Sequence, residues 1–203
     1  MINIYGASGH AKVVLDIAKS INLEIAEVYD DNAALKEVAG FRIQQPQKGV
    51  KISNVVITIG NNAIRKRIAQ EKVLTLAACL VHPSVQVGGA VSIGEGTVLM
   101  PNVVVNNSAK IGKNCILNTA SVIEHDCELG DFVHLSPNAA LAGGVSVGEG
   151  THIGANAVVI PCVKIGKWAV VGAGAVILRD IPDYAVVVGN PGKIIKYGKR
   201  IHG

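Results

Sequence analysis

The sequence predicts a small α/β domain followed by a parallel β-solenoid. The first observation is a period. Every sixth residue from Val81 to Ile177 is Leu, Ile or Val, at all seventeen positions and without insertion. A helix repeats at 3.6 residues and a strand at 2, so a sustained six fits neither and marks a coiled repeat. The second observation is a small residue after many of these aliphatics, as at Gly94, Gly112, Gly130, Gly148, Gly154, Gly166 and Gly172. The third is the contrast with residues 1–80, where strand-like and helix-like stretches alternate.

Taken in order, Ile2–Tyr5 reads as a short buried strand and Gly6–His10 as a turn. Ala11–Lys19 carries Val14, Leu15, Ile17 and Ala18 at helical spacing. Glu24–Tyr29 reads as a second strand ending in Asp30-Asp31-Asn32. Val55–Ile59 reads as a third, followed by Gly60-Asn61-Asn62. Ile64–Glu71 reads as a second helix, with Asn61 or Asn62 as its N-cap. Such a unit has a parallel sheet, and ligands bind beyond the carboxyl ends of its strands.

Residues 81–182 form the solenoid. Six residues at about 3.3 Å each span about 20 Å, one flat face of a triangular coil of eighteen residues. The aliphatic residue points inward on each face. The fifth slot, as at Ala109, Ser121, Val133, Ala139 and Ala157, is small or β-branched and is expected to point inward too. Residues 183–203 read as a tail.

Composition narrows the function. Aromatic residues make up only 3% and the net charge is +4. No basic run is interleaved with aromatics, which argues against nucleic-acid binding. The one basic stretch, Lys193, Lys196, Lys199 and Arg200, either meets phosphates or is plain solvated surface. No run of about 18 apolar residues exists, so no membrane span is expected. The start shows no basic n-region or cleavage site, so no signal peptide is expected and the location is read as cytoplasmic. Cys79, Cys115, Cys127 and Cys162 show no zinc spacing and are expected to be buried free thiols.

Three polar turns sit at the carboxyl ends of the strands: Gly6–His10, Asp30–Asn32 and Gly60–Asn62. Gly6-x-x-Gly9 is not a dinucleotide fingerprint. Alone it is equally an ordinary βα turn; three converging turns favour a nucleotide-like ligand.

In the solenoid, His125 occupies an outward slot. Eighteen residues down lies Asn107 and eighteen up lies Gly143; His134 and His152 are likewise one coil apart. A histidine near its pKa at neutral pH serves as a general base when a partner fixes its tautomer, and Glu124 and Asp126 flank this one. Gly143-Gly144 offers bare N–H groups to an oxyanion. An outward histidine on a solvated face is the plain alternative.

Gly6-Ala-Ser-Gly-His10, Asp30-Asp31, Ile59-Gly-Asn-Asn62 with Ile64-Arg-Lys66, and Asn118-Thr119 with Val122-Ile-Glu-His125 resemble the sialic acid O-acetyltransferase-like family of hexapeptide-repeat transferases. Within it the likeness is greatest to the UDP-4-amino-sugar N-acetyltransferases of the bacillosamine pathway. The resemblance extends to Val188-Gly-Asn-Pro-Gly-Lys193, with Gly192 where the family typically has Ala.

The resemblance implies a small Rossmann-like domain over 1–80 that binds nucleotide sugar. It implies an all-β left-handed parallel β-helix over 81–182 that binds acetyl-CoA, with a tail over 183–203. It implies acetyl transfer to the 4-amino group of a nucleotide-linked, UDP-type, amino-deoxy sugar in bacterial glycan synthesis. His125 is then the catalytic base and Asp126 its orienter, standing where the family typically has the longer Glu. His134, Ala155 and Ala173 meet the cofactor. Ser8, Gly9, His10, Asp30, Asp31 and Gly60 meet the nucleotide sugar. Gly143 is the oxyanion candidate, a homotrimer is expected, and no metal is. Alternatives are O-acetylation of a sugar such as sialic acid, a GDP- or dTDP-linked acceptor, and a binding-only sugar-nucleotide module. A zinc-dependent hydratase using His125, His134 and His152 is a further one.

Overall fold

The computed structural model describes residues 1–198. Lys199 and Arg200 of the basic tail lie outside the described residues. The chain opens with β1 (Ile2–Tyr5), α1 (Gly9–Ser20), β2 (Ile25–Tyr29), β3 (Glu37–Val38), β4 (Phe41–Gln44), β5 (Ile52–Ile57), α2 (Asn62–Glu71) and β6 (Leu74–Leu76). Their sheet runs β3-β4-β2-β1-β5-β6, parallel except for the β3–β4 hairpin. β1 sits between β2 and β5, so the strand order reverses at β1, where α/β folds place ligands. Helix α1 buries Ala11, Val14, Leu15, Ile17 and Ala18, at the predicted helical spacing. Asn61 caps α2, its Oδ1 accepting from the Ile64 N–H at 3.0 Å. The β3–β4 hairpin and β6 were not expected: their segments are short and carry no long apolar alternation.

From Leu80 to Ile177 the chain winds a left-handed parallel β-helix of two-residue strands. Each strand pairs in parallel with the strand eighteen residues on, as Ile116 with His134 and His134 with His152. Three sheets result. The first face holds Leu80–Val81, Val98–Leu99, Ile116–Leu117, His134–Leu135, His152–Ile153 and Val170–Val171. The second runs from Gln86–Val87 to Val176–Ile177, and the third from Ser92–Ile93 to Lys164–Ile165.

The aliphatics of the six-residue series are buried from Leu99 to Ile177. At the open first coil Val87 is 48% exposed and Val81 and Ile93 are half-buried. The fifth slot is buried as expected: Ala109, Ser121, Val133, Ala139 and Ala157 are all at 0%.

The corners obey two separate rules. From Ala90 to Gly174, every sixth residue has left-handed backbone, whether Gly, Asn, Asp, Ser, Cys or even Trp168. The glycines at 94, 112, 130, 148 and 166 are different. Their φ is ordinary, and they are glycine because the next coil lies against them. A Cβ on Gly148 would stand 2.6 Å from the Lys167 nitrogen.

The outward rows of the three faces differ in character. On the first face Leu80, Val98 and Ile116 are buried, and hydrogen bonds from α2 tie the α/β domain to the coil corner that leads into this face. On the third the row is Ser92, Lys110, Glu128, Ser146 and Lys164. On the second it is Gln86 and then Val104, Val122, Ala140, Val158 and Val176, apolar from Val104 on, with Val158 41% exposed. The segment read as a tail adds Ala185–Val188 in parallel to the first face and Lys193–Tyr197 antiparallel beyond it. Among the described residues no helix is long and apolar enough to cross a membrane.

One cysteine departs from expectation. Cys115 and Cys127 are buried and Cys79 is half-buried, but Cys162 is exposed. It occupies the left-handed corner slot, whose side chain leaves the coil, at φ +62°.

Replacing Gly148 by Ala forces two coils apart. Denaturant unfolding is expected to show a loss of about 1–3 kcal/mol, the cost of overpacking a close-packed interior. Wild-type stability in that variant would contradict the close-approach reading.

Candidate active site

At the reversal point of the sheet, three turns meet. Gly6 has φ +111°, and a Cβ there would lie 2.7 Å from the Ile59 side chain, so the first turn accepts only glycine. Asp30 ties two turns together: Oδ2 accepts from the Ala7 N–H at 2.7 Å and Oδ1 from the Asn32 N–H at 2.8 Å. Asp31 instead pairs with Lys72 at 2.7 Å. Ser8 stands at the N-cap of α1 without a side-chain cap bond. Its hydroxyl and the first N–H groups of the helix therefore remain available to an anionic ligand. Ser8, Gly9, Asp30, Asp31 and Gly60 thus share the carboxyl edge of β1, β2 and β5.

Behind this edge lies a single buried cation ringed by histidines. Arg65 of α2 is 1% exposed. Its Nε donates to the Asn114 carbonyl at 2.8 Å. Nη1 donates to Ile59 O at 2.7 Å and, at 3.4 Å, to Gly60 O. Nη2 donates to Asn62 Oδ1 at 2.8 Å and Phe132 O at 2.9 Å. Burial lowers its pKa to about 10, so it is still charged at neutral pH.

His10, His134 and His152 gather around that charge. Burial first, then Arg65, lowers His10 to about 4. Burial, then His152 and Arg65, lowers His134 to about 3, and His152 is lowered by burial and then Arg65. All three are neutral at pH 7. His134 stacks on His152 with ring centroids 4.8 Å apart. The Nε2 of His134 lies 3.3 Å from Asn118 Nδ2, so it accepts there, and its Nδ1–H faces Gly60 O at 3.4 Å. His10 Nε2 is buried with no partner among the described residues.

His125 lies elsewhere, on the corner between the second and third faces. The predicted column is present: Asp126 N–H donates to Asn107 O at 3.1 Å and Gly144 N–H to His125 O at 2.9 Å. The imidazole lies over Gly143, where a Cβ would come within 2.7 Å of Nε2. Only glycine lets the ring rest there. The Gly143 N–H donates to no backbone acceptor among the described residues. The His125 side chain is 63% exposed and its Nδ1 is 2.8 Å from Asp126 Oδ2. A carboxylate only accepts, so Nδ1 carries the hydrogen and Nε2 is the free base. That hydrogen bond, with smaller help from the charges of Asp126 and Glu124, raises the His125 pKa.

Ala155 and Ala173 form a third column, between the first and second faces, joined by Gly174 N–H to Ala155 O at 2.8 Å. The predicted residues therefore fall in three places. The turn residues and His10 meet His134 at the domain junction. His125, Asp126 and Gly143 share one corner, and Ala155 and Ala173 the opposite edge of the second face. His125 does not converge with His134 and His152 as a zinc site would require. Among the described residues no group of three or more His, Cys, Asp and Glu side chains is placed to hold a metal.

Sequence reading gave Arg65 and Asn118 no role. Asn118 precedes His134 by sixteen residues, close enough to one coil to have flagged it. A lone arginine on a helix gives no such signal.

A small α/β domain followed by a solenoid of six-residue repeats is the architecture of the hexapeptide-repeat transferases. Residues 1–72 match the PglD N-terminal domain family and residues 144–179 the bacterial transferase hexapeptide repeats. Over 96% of both chains the structure is similar, at a TM-score of 0.89 and 36% identity, to a single-site variant of perosamine N-acetyltransferase from Caulobacter crescentus, solved with CoA and GDP-perosamine. It is similar at TM-score 0.86 and 32% identity to the acetyltransferase domain of PglB from Neisseria gonorrhoeae with acetyl coenzyme A, covering 96% of this chain and 98% of that one. A Bacillus subtilis UDP-N-acetylbacillosamine N-acetyltransferase is 40% identical over 109 residues, which is 49% of this chain. That match spans 50% of the relative's length. The chain belongs to the acetyl-CoA-dependent N-acetyltransferases of the hexapeptide-repeat class.

The buried histidines set an acid limit on stability. Their folded pKa values lie below the unfolded value of 6.5, so the unfolded chain binds more protons below that pH. Stability is full above about pH 6.5 and falls as the pH drops toward 4. Between pH 7.5 and 5.5 the loss is expected to be about 1.4 kcal/mol for each of His10 and His134. Urea unfolding across that range checks it, and His134→Gln should remove one proton from the slope.

Proposed function

We propose that the protein transfers acetyl from acetyl-CoA to the 4-amino group of a UDP-linked amino-deoxy sugar, in the assembly of a bacterial glycan. The observation that carries the reading is the His125–Asp126 pair laid against Gly143. Neutral His125 takes a proton at Nε2 as the amine nitrogen attacks the thioester carbon. Asp126 holds the tautomer and stabilises the imidazolium. The Gly143 N–H donates to the oxyanion as charge develops there. When the C–S bond breaks, the imidazolium returns its proton to the CoA thiolate.

The turns of the α/β domain are suited to the nucleotide sugar: Ser8, Gly9 and His10 at the start of α1, Asp30 and Asp31 after β2, and Gly60 after β5. Arg65, a buried charge facing no carboxylate, adds a positive field at the edge where a diphosphate would lie. UDP is preferred on the resemblance of the turn motifs and on the Bacillus relative; the Caulobacter enzyme's GDP-perosamine is the alternative.

His134, Ala155 and Ala173 are assigned to acetyl-CoA. The His125 corner and the Ala155–Ala173 column stand on opposite edges of one face, about 20 Å apart within a chain. The outward row between them is apolar. A cyclic trimer packed on this face would bring one chain's His125 to its neighbour's Ala155 and Ala173.

Thiol release from acetyl-CoA across UDP-, GDP- and dTDP-linked 4-amino sugars tests the assignment, with the UDP sugar expected to be fastest. His125→Ala should lower kcat by about two to four orders of magnitude, the usual share of a general base, and leave acetyl-CoA binding intact. Near-normal turnover would overturn the role.

Asp126→Asn makes a second, independent test. The raised pKa of His125 rests first on that carboxylate. A base must be neutral, so activity is lost as the pH falls through the His125 pKa. In the variant that acid limb should move to lower pH, with reduced kcat on the plateau. A limb that stays in place would remove Asp126 from the mechanism.

A further inference from the structure

The two aspartates after β2 are not equivalent. Asp30 gives both oxygens to the backbone, Oδ2 to the Ala7 N–H and Oδ1 to the Asn32 N–H. Asp31 Oδ1 accepts from Lys72 Nζ at 2.7 Å, and its Oδ2 has no partner among the described residues. The Asp31 side chain is 52% exposed. Lys72 is seated as well as paired: its Nζ lies over the Tyr5 ring, 5.7 Å from the centroid. Tyr5 is 1% exposed, and its hydroxyl is buried beside the pair with no hydrogen-bond partner among the described residues. Burial pushes the phenol up to about 12, so it is a neutral donor at pH 7. A free carboxylate oxygen, a seated ammonium and an unfilled hydroxyl thus meet at one point of the edge, and a buried polar group without a partner marks a place for one.

The edge has a polarity. The solenoid lies on the β5 side, where Gly60 faces His134 and Arg65 joins the two domains. The sugar to be acetylated points that way. With the diphosphate at the first N–H groups of α1, the nucleoside points the other way, past β1 to β2 and Asp31. A base arriving there meets an acceptor, Asp31 Oδ2, beside a donor, Lys72 Nζ. Uracil matches that pair, because its single imide N–H lies between two carbonyls. Guanine grips a carboxylate best with two parallel N–H groups on both oxygens. Lys72 already holds one of those oxygens, and its charge repels the guanine amino group. We propose that Lys72 is a positioning residue that sets the choice of nucleobase, a role that rests on the UDP-sugar reading above. By holding Asp31 Oδ1 it favours an imide edge and disfavours the amino edge of guanine.

Lys72→Met keeps an apolar stem over Tyr5 and removes the ammonium. Calorimetric titration of the intact chain with UDP, dTDP and GDP separates base choice from a structural role. The wild type is expected to bind UDP more tightly than GDP. In the variant that preference should shrink about tenfold. Binding of dTDP, whose thymine carries the same imide edge, should change as UDP binding does, while the KM for acetyl-CoA stays put. A UDP-to-GDP ratio unchanged by the substitution, whether both ligands weaken together or neither does, overturns the role of Lys72 and leaves the UDP reading standing. So does dTDP binding that changes as GDP binding does. A wild type that binds GDP more tightly than UDP overturns the UDP reading and this role with it.

Discussion

The rest of the structure depends on one buried cation. Arg65 carries N–H donors on three nitrogens, and each nitrogen reaches at least one oxygen. These acceptors belong to the β5–α2 turn, to Asn62 and to two successive coils. A guanidinium leaving water is costly unless its donors are satisfied and their geometry is fixed. Satisfying it here demands that the α/β domain sit at one height and one angle on the solenoid. The helix around it extends the same contact along the corner. Asn62 Nδ2 reaches Gly150 O at 2.9 Å, while Lys66 pairs with Glu149 and stands 5.3 Å from the Trp168 ring centroid. One helix face thereby touches several coils, and the Gly60 turn is held against His134.

That constraint also sets the electrostatics of the junction. Arg65 has only neutral acceptors, so its charge reaches the histidines around it. Burial and that charge together keep His10, His134 and His152 neutral. His125 stands in the opposite environment, exposed and beside a carboxylate, and its pKa is raised. Four of the chain's six histidines thus divide into three whose neutral form is favoured and one, His125, whose protonated form is favoured. Environment makes the division; residue type does not.

The solenoid was legible because its period is a geometric identity: six residues make a face, eighteen make a coil, and residues eighteen apart must stack. The His125–Gly143 contact and the His134–His152 stack follow from subtraction alone. What the period could not show is which corner meets the other domain, since Arg65 acts through carbonyls at Asn114 and Phe132 that any residue would offer. It also hid the reason for the glycines. Gly148 looks like a turn residue, yet its backbone is ordinary and its neighbour's coil is what excludes a side chain. The left-handed slot two residues later accepts Asp126, Cys162 and Trp168. A side chain there must leave the coil, which is why Cys162 is exposed. In the α/β domain, apolar spacing marked α1 well. The β3–β4 hairpin stayed hidden because a two-residue strand has too few residues to show alternation.

Asp126 shows how the two corner rules combine into chemistry. Its backbone is left-handed at φ +60°, which turns the chain sharply just after His125. The turn sends the carboxylate back to the adjacent imidazole, a contact that neighbours on an extended strand, facing opposite ways, could not make. Eighteen residues later the stacked slot is Gly144, preceded by Gly143, so no side chain rises into the space the imidazole occupies. An imidazole, its carboxylate partner and a bare N–H are therefore assembled by backbone conformation and coil stacking. The shorter Asp suffices at this position because the turn, not the length of the side chain, closes the 2.8 Å gap.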